Sequence, residues 1–154
     1  MSKSNDSRIA DPELPFSTTL TVRDTCMCLH LQRAARSVAR RFDEALRPSG
    51  LTNGQFSLLM SLNRPEPPLM RDVAELLAMD RTTLTAMLKP LARRGMVQIA
   101  PDANDRRGKR LILEKPGRDV LKVALPLWTK TQADIERSFS PEAERLRNQL
   151  CQLG

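Results

Sequence analysis

Residues 76–97, LLAMDRTTLTAMLKPLARRGMV, hold one helix with both of its ends written in side chains. Asp80 is an N-cap residue, able to accept one of the backbone N–H groups that a first helical turn leaves unpaired. Leu84, Met87, Leu88 and Leu91 recur at three- and four-residue spacing and form a single apolar stripe. Gly95 falls in the C′ position, where a left-handed backbone ends a helix without steric cost. The spacing predicts a helix over 81–94 that turns Thr82, Thr85, Ala86, Lys89 and Arg93 outward. Pro90 lies inside it, removes one backbone bond and is expected to bend the axis.

Upstream, Thr52 with Gln55 forms a capping box opening a short helix through Phe56, Leu58, Leu59 and Leu62. The run Arg64-Pro-Glu-Pro-Pro68 forces a turn. A further helix is predicted over 71–79 with Val73, Leu76 and Leu77 inward, lacking a polar cap because Leu69 and Met70 precede it. Downstream of Gly95 the apolar period changes from 3.6 to 2. Residues 97–100 and 110–114 read as two short strands joined by a polar loop, PDANDRRGK, over 101–109.

The flanks are helical. Thr21 with Asp24 has the form of a capping box, and Cys28, Leu31, Ala35, Val38, Phe42 and Ala45 follow as a narrow seam of the kind that packs helix on helix. Pro48 and Gly50 end that element. A long helix is expected over 116–139, and Ser140 with Pro141 is read as the start of a last one. The organisation is thus a flexible arm over 1–20, a helix over 21–50, a helix–turn–helix and hairpin over 51–115, and terminal helices over 116–154. The fold class is mainly α with a small β-hairpin.

Charge is concentrated where the pattern is clearest. The chain carries a formal +7, and residues 81–110 hold eight cationic side chains against two carboxylates. Such a bias is an electrostatic footprint for a polyanion. Aromatic residues make up 3% and there is no Tyr, which argues against modules that stack single-stranded bases. No stretch approaches the roughly 18 apolar residues of a membrane span. Three cysteines fit a reducing compartment rather than a disulfide framework, so the cytoplasm is the expected location.

The order helix, turn, helix, strand, basic loop, strand is that of a winged helix–turn–helix. Its second helix is able to enter the major groove of duplex DNA, which is wide enough for one helix. Arg81, Thr82, Thr83, Thr85, Ala86, Lys89 and Arg93 are the expected DNA-contacting residues of that helix. Thr82 and Thr83 also suit phosphate oxygens at the positive end of the helix dipole. The loop offers Arg106 and Arg107 at its tip, with Lys109 beside them, and arginine suits the enhanced negative potential of a narrow minor groove. Asp105 is expected to orient one of the two guanidinium groups.

The runs Leu76-Leu-Ala-Met-Asp-Arg-Thr-Thr-Leu-Thr85, Leu91-Ala-Arg-Arg-Gly-Met-Val97 and Asp102-Ala-Asn-Asp-Arg-Arg107 resemble the winged helix–turn–helix of the MarR family of bacterial transcription regulators. The resemblance extends over about 25–140. It implies a homodimer joined through its first and last helices, bound to a pseudo-palindromic operator and usually repressing. It implies release by a small ligand, such as an aromatic or lipophilic acid held between the dimer helices and the DNA-binding lobe, or by thiol oxidation.

Cys26 and Cys28 are the candidate redox sensors, read as lying in the first turns of a helix where the macrodipole favours a thiolate. Two residues apart on a helix they point to opposite sides, so oxidation is expected to give a sulfenic acid, a mixed disulfide or a bond across the dimer. The alternative for Cys28 is a small buried hydrophobe on the seam. Cys26, Cys28 and His30 diverge too far on a helix to hold a metal, and no metal or cofactor is expected. The single His and the lack of a phosphate loop or nucleophile motif argue against an enzyme. The competing reading is a protein–protein adaptor or anti-activator that keeps the fold without specific DNA binding.

Overall fold

The computed structural model describes residues 11–105 and 108–153. The chain divides into two units, residues 1–37 and 38–154.

The first unit holds helix α1, Phe16–Thr25, and the opening turns of helix α2, Met27–Leu46. The expected capping box at Thr21 is absent because both partners are engaged otherwise inside α1. The Thr21 hydroxyl donates to the Ser17 carbonyl at 3.1 Å, and the Asp24 carboxylate accepts two bonds from Arg23 at 2.6 and 2.9 Å. Helix α1 instead starts after Pro15, well inside the expected flexible arm. It ends at Cys26, whose extended backbone (φ −70°, ψ 106°) separates α1 from α2.

The second unit carries the remaining elements. A 3₁₀ turn, Arg47–Ser49, ends α2 and is closed by Gly50 in the left-handed region at φ 72°. Helix α3, Asn53–Ser61, opens with the expected capping box: Gln55 N–H donates to Thr52 Oγ1 at 3.2 Å, and Thr52 N–H to Gln55 Oε1 at 3.1 Å. Helix α4, Met70–Leu76, has Leu69 as an N-cap without a side-chain bond. It buries Val73, but Leu76, expected inside, is 56% exposed. The helix ends at Leu76 itself, and Ala78 turns the chain with φ 50°. Helix α5, Arg81–Arg93, follows. Its C-terminus closes as predicted, with Gly95 N–H on the Ala92 carbonyl at 2.9 Å and Met96 N–H on the Leu91 carbonyl at 3.0 Å. This paired arrangement satisfies carbonyls that the helix would otherwise leave open.

Strands β1, Val97–Pro101, and β2, Lys109–Leu113, pair antiparallel with Val97 opposite Leu113 and Pro101 opposite Lys109. Helix α6 runs Lys115–Arg137 with Pro126 inside it, and α7 runs Ala143–Cys151. The last helix begins later than Ser140 and Pro141 suggest, because the Glu142 N–H first closes a turn onto the Phe139 carbonyl at 2.6 Å. Among the described residues no helix is long and apolar enough to cross a membrane.

One apolar core organises this unit. Leu46, Leu58, Leu59, Val73, Leu84, Leu88, Leu91 and Leu111 are fully buried in it, drawing together α2 through α5 and the hairpin. The expected seam continues into it through Val38 and Phe42, with Leu46 rather than Ala45 completing the stripe. Trp128 of α6 stacks on Phe42 of α2 and Phe56 of α3, with ring centroids 6.3 and 6.0 Å away and planes within 18° and 20° of parallel. Offset aromatic pairs of this spacing add to the burial of their faces.

Candidate nucleic-acid interface

The apolar stripe of α5 fixes which way the helix faces. With Leu84, Leu88 and Leu91 buried, the side bearing Arg81, Thr82, Thr83, Ala86, Lys89 and Arg93 is exposed, and Thr85 and Met87 flank it half-buried. The outward set expected from the sequence is therefore brought together on one helical face, with Thr85 at its margin.

Asp80 sets the start of that face. One carboxylate oxygen accepts the Thr83 backbone N–H at 2.8 Å and the other accepts the Thr83 hydroxyl at 2.7 Å. These bonds, the backbone one foremost, hold the Asp80 carboxyl below the usual carboxylate range. The Thr85 hydroxyl donates to the Arg81 carbonyl at 2.7 Å. Thr83 and Thr85 thus spend their hydroxyl hydrogens within the protein and turn acceptor lone pairs outward. Next to Gly95, Arg94 extends from the end of α5 to the Gly50 carbonyl at 3.1 Å, tying α5 to the turn before α3.

The hairpin is anchored at its base. Asp102, 7% exposed, follows β1 directly; its N–H donates to the Gly108 carbonyl at 3.0 Å, and the Gly108 N–H donates to the Asp105 carbonyl at 2.8 Å. Its carboxylate accepts Arg110 Nε at 3.0 Å, and that guanidinium holds the Asp102 carboxyl below its usual range against the opposing effect of burial. Arg110 also donates through Nη1 to the Pro67 carbonyl at 2.7 Å. The Leu111 N–H on the Pro68 carbonyl at 3.0 Å, with a bridge between Leu69 and Arg110, joins the segment before α4 to β2 as a third edge.

Lys109 is exposed on β2. Arg106 and Arg107 lie outside the described residues. Asp105, expected to orient one of them, also accepts the Gly108 N–H through its backbone carbonyl, and a second acid, Asp102, is buried at the wing base. Sequence reasoning did not single out Asp102 or Arg110; the signal available was an Asp opening a polar loop and an Arg eight positions on. A cleft of about 330 Å³ lies against this region, lined by Leu69, Met70, Ala74, Arg71, Arg81 and Lys109 among others.

Of the two candidate cysteines, Cys28 lies in a first helical turn as expected and Cys26 does not. Cys26 stands between helices, its backbone N–H bonded back to the Val22 carbonyl and its sulfur accepting the Leu29 N–H at 3.5 Å in the manner of an N-cap for α2. Cys28 is in the first turn of α2, exposed, with the Gln32 amide donating to its sulfur at 3.3 Å. The His30 ring meets the Cys26 carbonyl at 2.9 Å through Nδ1. Among the described residues no three His, Cys, Asp or Glu side chains gather as a metal site requires.

Residues 51–109, from two positions before α3 to the first residue of β2, match the sequence profile of the MarR family. The fold superposes on MosR, a transcriptional regulator of M. tuberculosis whose structure was solved with DNA, at a TM-score of 0.76 and 39% identity over 83% of this chain and 92% of that one. TtmR, an HTH-type transcriptional regulator of Methylorubrum extorquens, is 30% identical over 133 residues, taking in 82% of this chain and 68% of that protein. BadR of Rhodopseudomonas palustris, a transcriptional activatory protein, is 31% identical over 96 residues, which span 60% of this chain and 55% of BadR's length. With its helix–turn–helix and wing in the order the sequence implied, the chain belongs to the MarR family of transcriptional regulators.

Proposed function

We propose that the protein binds duplex DNA sequence-specifically, as a homodimer on a pseudo-palindromic operator, and represses nearby genes. The observation that carries this reading is the exposed face of α5, a capped helix offering hydroxyls and cations, followed directly by an anchored basic hairpin. In it, Arg81, Thr82 and Arg93 serve phosphates, Thr83 holds the cap of the helix through Asp80, and Thr85, Ala86 and Lys89 approach base edges in the major groove. Arg106, Arg107 and Lys109 reach the adjacent minor groove or its phosphates. MosR, solved with DNA, supports the reading by its likeness.

Uncovered apolar side chains support the dimer. Val123 and Leu125 of α6, and Leu150 and Leu153 at the end of the chain, are between 43% and 67% exposed, a cost in water that a second copy removes. Release from DNA follows from one of two events. A small aromatic or lipophilic acid is one candidate, and the cleft lined by Leu69, Met70 and Ala74 offers it Arg71, Arg81 and Lys109, with Asp105 also on the rim. Oxidation of Cys26 or Cys28 acts at the junction of α1 and α2.

Gel-shift titration against the upstream region of its own gene tests the reading. Specific retardation at low-micromolar protein supports it, and none from a folded dimer overturns it.

A further inference from the structure

A nearly buried carboxylate is costly unless an opposite charge and hydrogen bonds compensate it. Asp102 has both, and its partner is not spent on Asp102 alone. Arg110 places Nε on Asp102 at 3.0 Å and Nη1 on the Pro67 carbonyl at 2.7 Å, so one planar guanidinium spans the first loop residue of the wing and the proline turn ahead of α4. Side chains 33% and 6% exposed form this pair, far more enclosed than the surface ion pair of Arg71 and Asp72 at 76% and 51%. The loop leaving Asp102 returns to it through the Gly108 carbonyl, and the Asn104 N–H lies 3.4 Å from the same carboxylate oxygen. Together these bonds tie the base of the wing to the turn ahead of α4.

We propose that Asp102 and Arg110 are positioning residues for DNA recognition: together they brace the wing against the Pro67 segment, so that the tip cations meet DNA in register with α5. The proposal deepens the DNA-binding reading and rests on it. Neither residue touches DNA in this account. Their contribution is pre-organisation, which spares the tip arginines the entropy of ordering on contact.

Affinity for a duplex selected by the wild-type protein from a random pool, measured by fluorescence anisotropy across a salt series, tests this in the full chain. Asp102→Asn and Arg110→Met are each expected to weaken binding about tenfold and to flatten the log–log salt slope by about 1 to 2, the loss of one or two phosphate contacts. Combining Asp102→Asn with Arg106→Ala should cost little beyond Arg106→Ala alone, because an unbraced tip no longer delivers that arginine. A merely structural role gives additive losses and an unchanged slope, and that result overturns the proposal, as do folded variants that bind like wild type.

If Asp102→Asn fails to fold, Arg110→Lys decides. It keeps a charge beside Asp102 but loses the fork to Pro67, and is expected to reduce the slope; wild-type binding by this folded variant overturns the brace. Failure of the wild-type protein to select any duplex defeats the DNA-binding reading itself, and the proposal with it. Normal wild-type selection with unaltered variants defeats the brace alone.

Discussion

Asp80 grips Thr83 twice, one carboxylate oxygen on its backbone N–H at 2.8 Å and the other on its hydroxyl at 2.7 Å. The two adjacent threonines at the head of α5 therefore have different duties. Thr83 belongs to the cap, while Thr82 is exposed and has no such side-chain bond among the described residues.

Thr82→Ala should weaken DNA binding roughly ten- to hundredfold, the worth of one hydrogen bond to a charged phosphate, with unfolding unchanged. Thr83→Ala should show the reverse, with thermal stability down by about 0.5–1 kcal/mol and affinity nearly intact. Paired anisotropy and denaturation measurements separate the two.

Asp80 and Asp102, with Asp24 and Asp119, are carboxyls that lie below their ordinary range in the folded chain and so contribute to the pH dependence of stability. A depressed folded pKa gives stability that is present above the unfolded value, about 3.9, and is lost as pH falls through the folded value. Denaturation midpoints should be flat with respect to these groups from about pH 5 to 8 and decline below about pH 4. Asp102→Asn should shrink that acid-limb decline.

Gly117 is irreplaceable for a steric reason. A Cβ there would lie 2.6 Å from the Met96 carbonyl oxygen and 2.6 Å from Leu113 Cδ1. The Met96 carbonyl is held in place by the Glu114 N–H at 2.9 Å, so it does not give way easily. Gly117→Ala should destabilise the fold by about 1–3 kcal/mol, the usual cost of overpacking, despite the better helix propensity of Ala. Chemical denaturation checks it.

Trp128 is the chain's one tryptophan and stacks on both Phe42 and Phe56. Its emission should shift to the red in the same transition as the loss of helical circular dichroism. Phe56→Ala should cost about 3 kcal/mol and red-shift the native spectrum.

Much of this architecture was legible because its signals are local. Asp80, Gly95 and the Thr52–Gln55 box each act within a few residues, and the apolar stripes of α3 and α5 set their buried faces directly. What the sequence hid depends on partners far along the chain. Arg110 bonds to Pro67, forty-three positions away, so nothing near either residue announces the brace. The break at Cys26 has neither Gly nor Pro to mark it, and Thr21 with Asp24 mimics a cap although both side chains bond inside α1. Leu76 matched the helical period, yet α4 ends there and leaves it in solvent.

The central claim is that α5 reads bases while the wing grips backbone and minor groove. Its most direct test is the salt dependence of binding to the selected duplex and to a scrambled one, for wild type, Lys89→Ala and Arg106→Ala. With about four phosphate contacts per protomer, the dimer should show a log–log slope near −7. Lys89→Ala should lower the ratio of specific to scrambled affinity, and Arg106→Ala should weaken both duplexes alike and reduce the slope by about 1 per protomer. A folded dimer whose affinity does not change with salt, or in which neither substitution alters binding, would contradict the account.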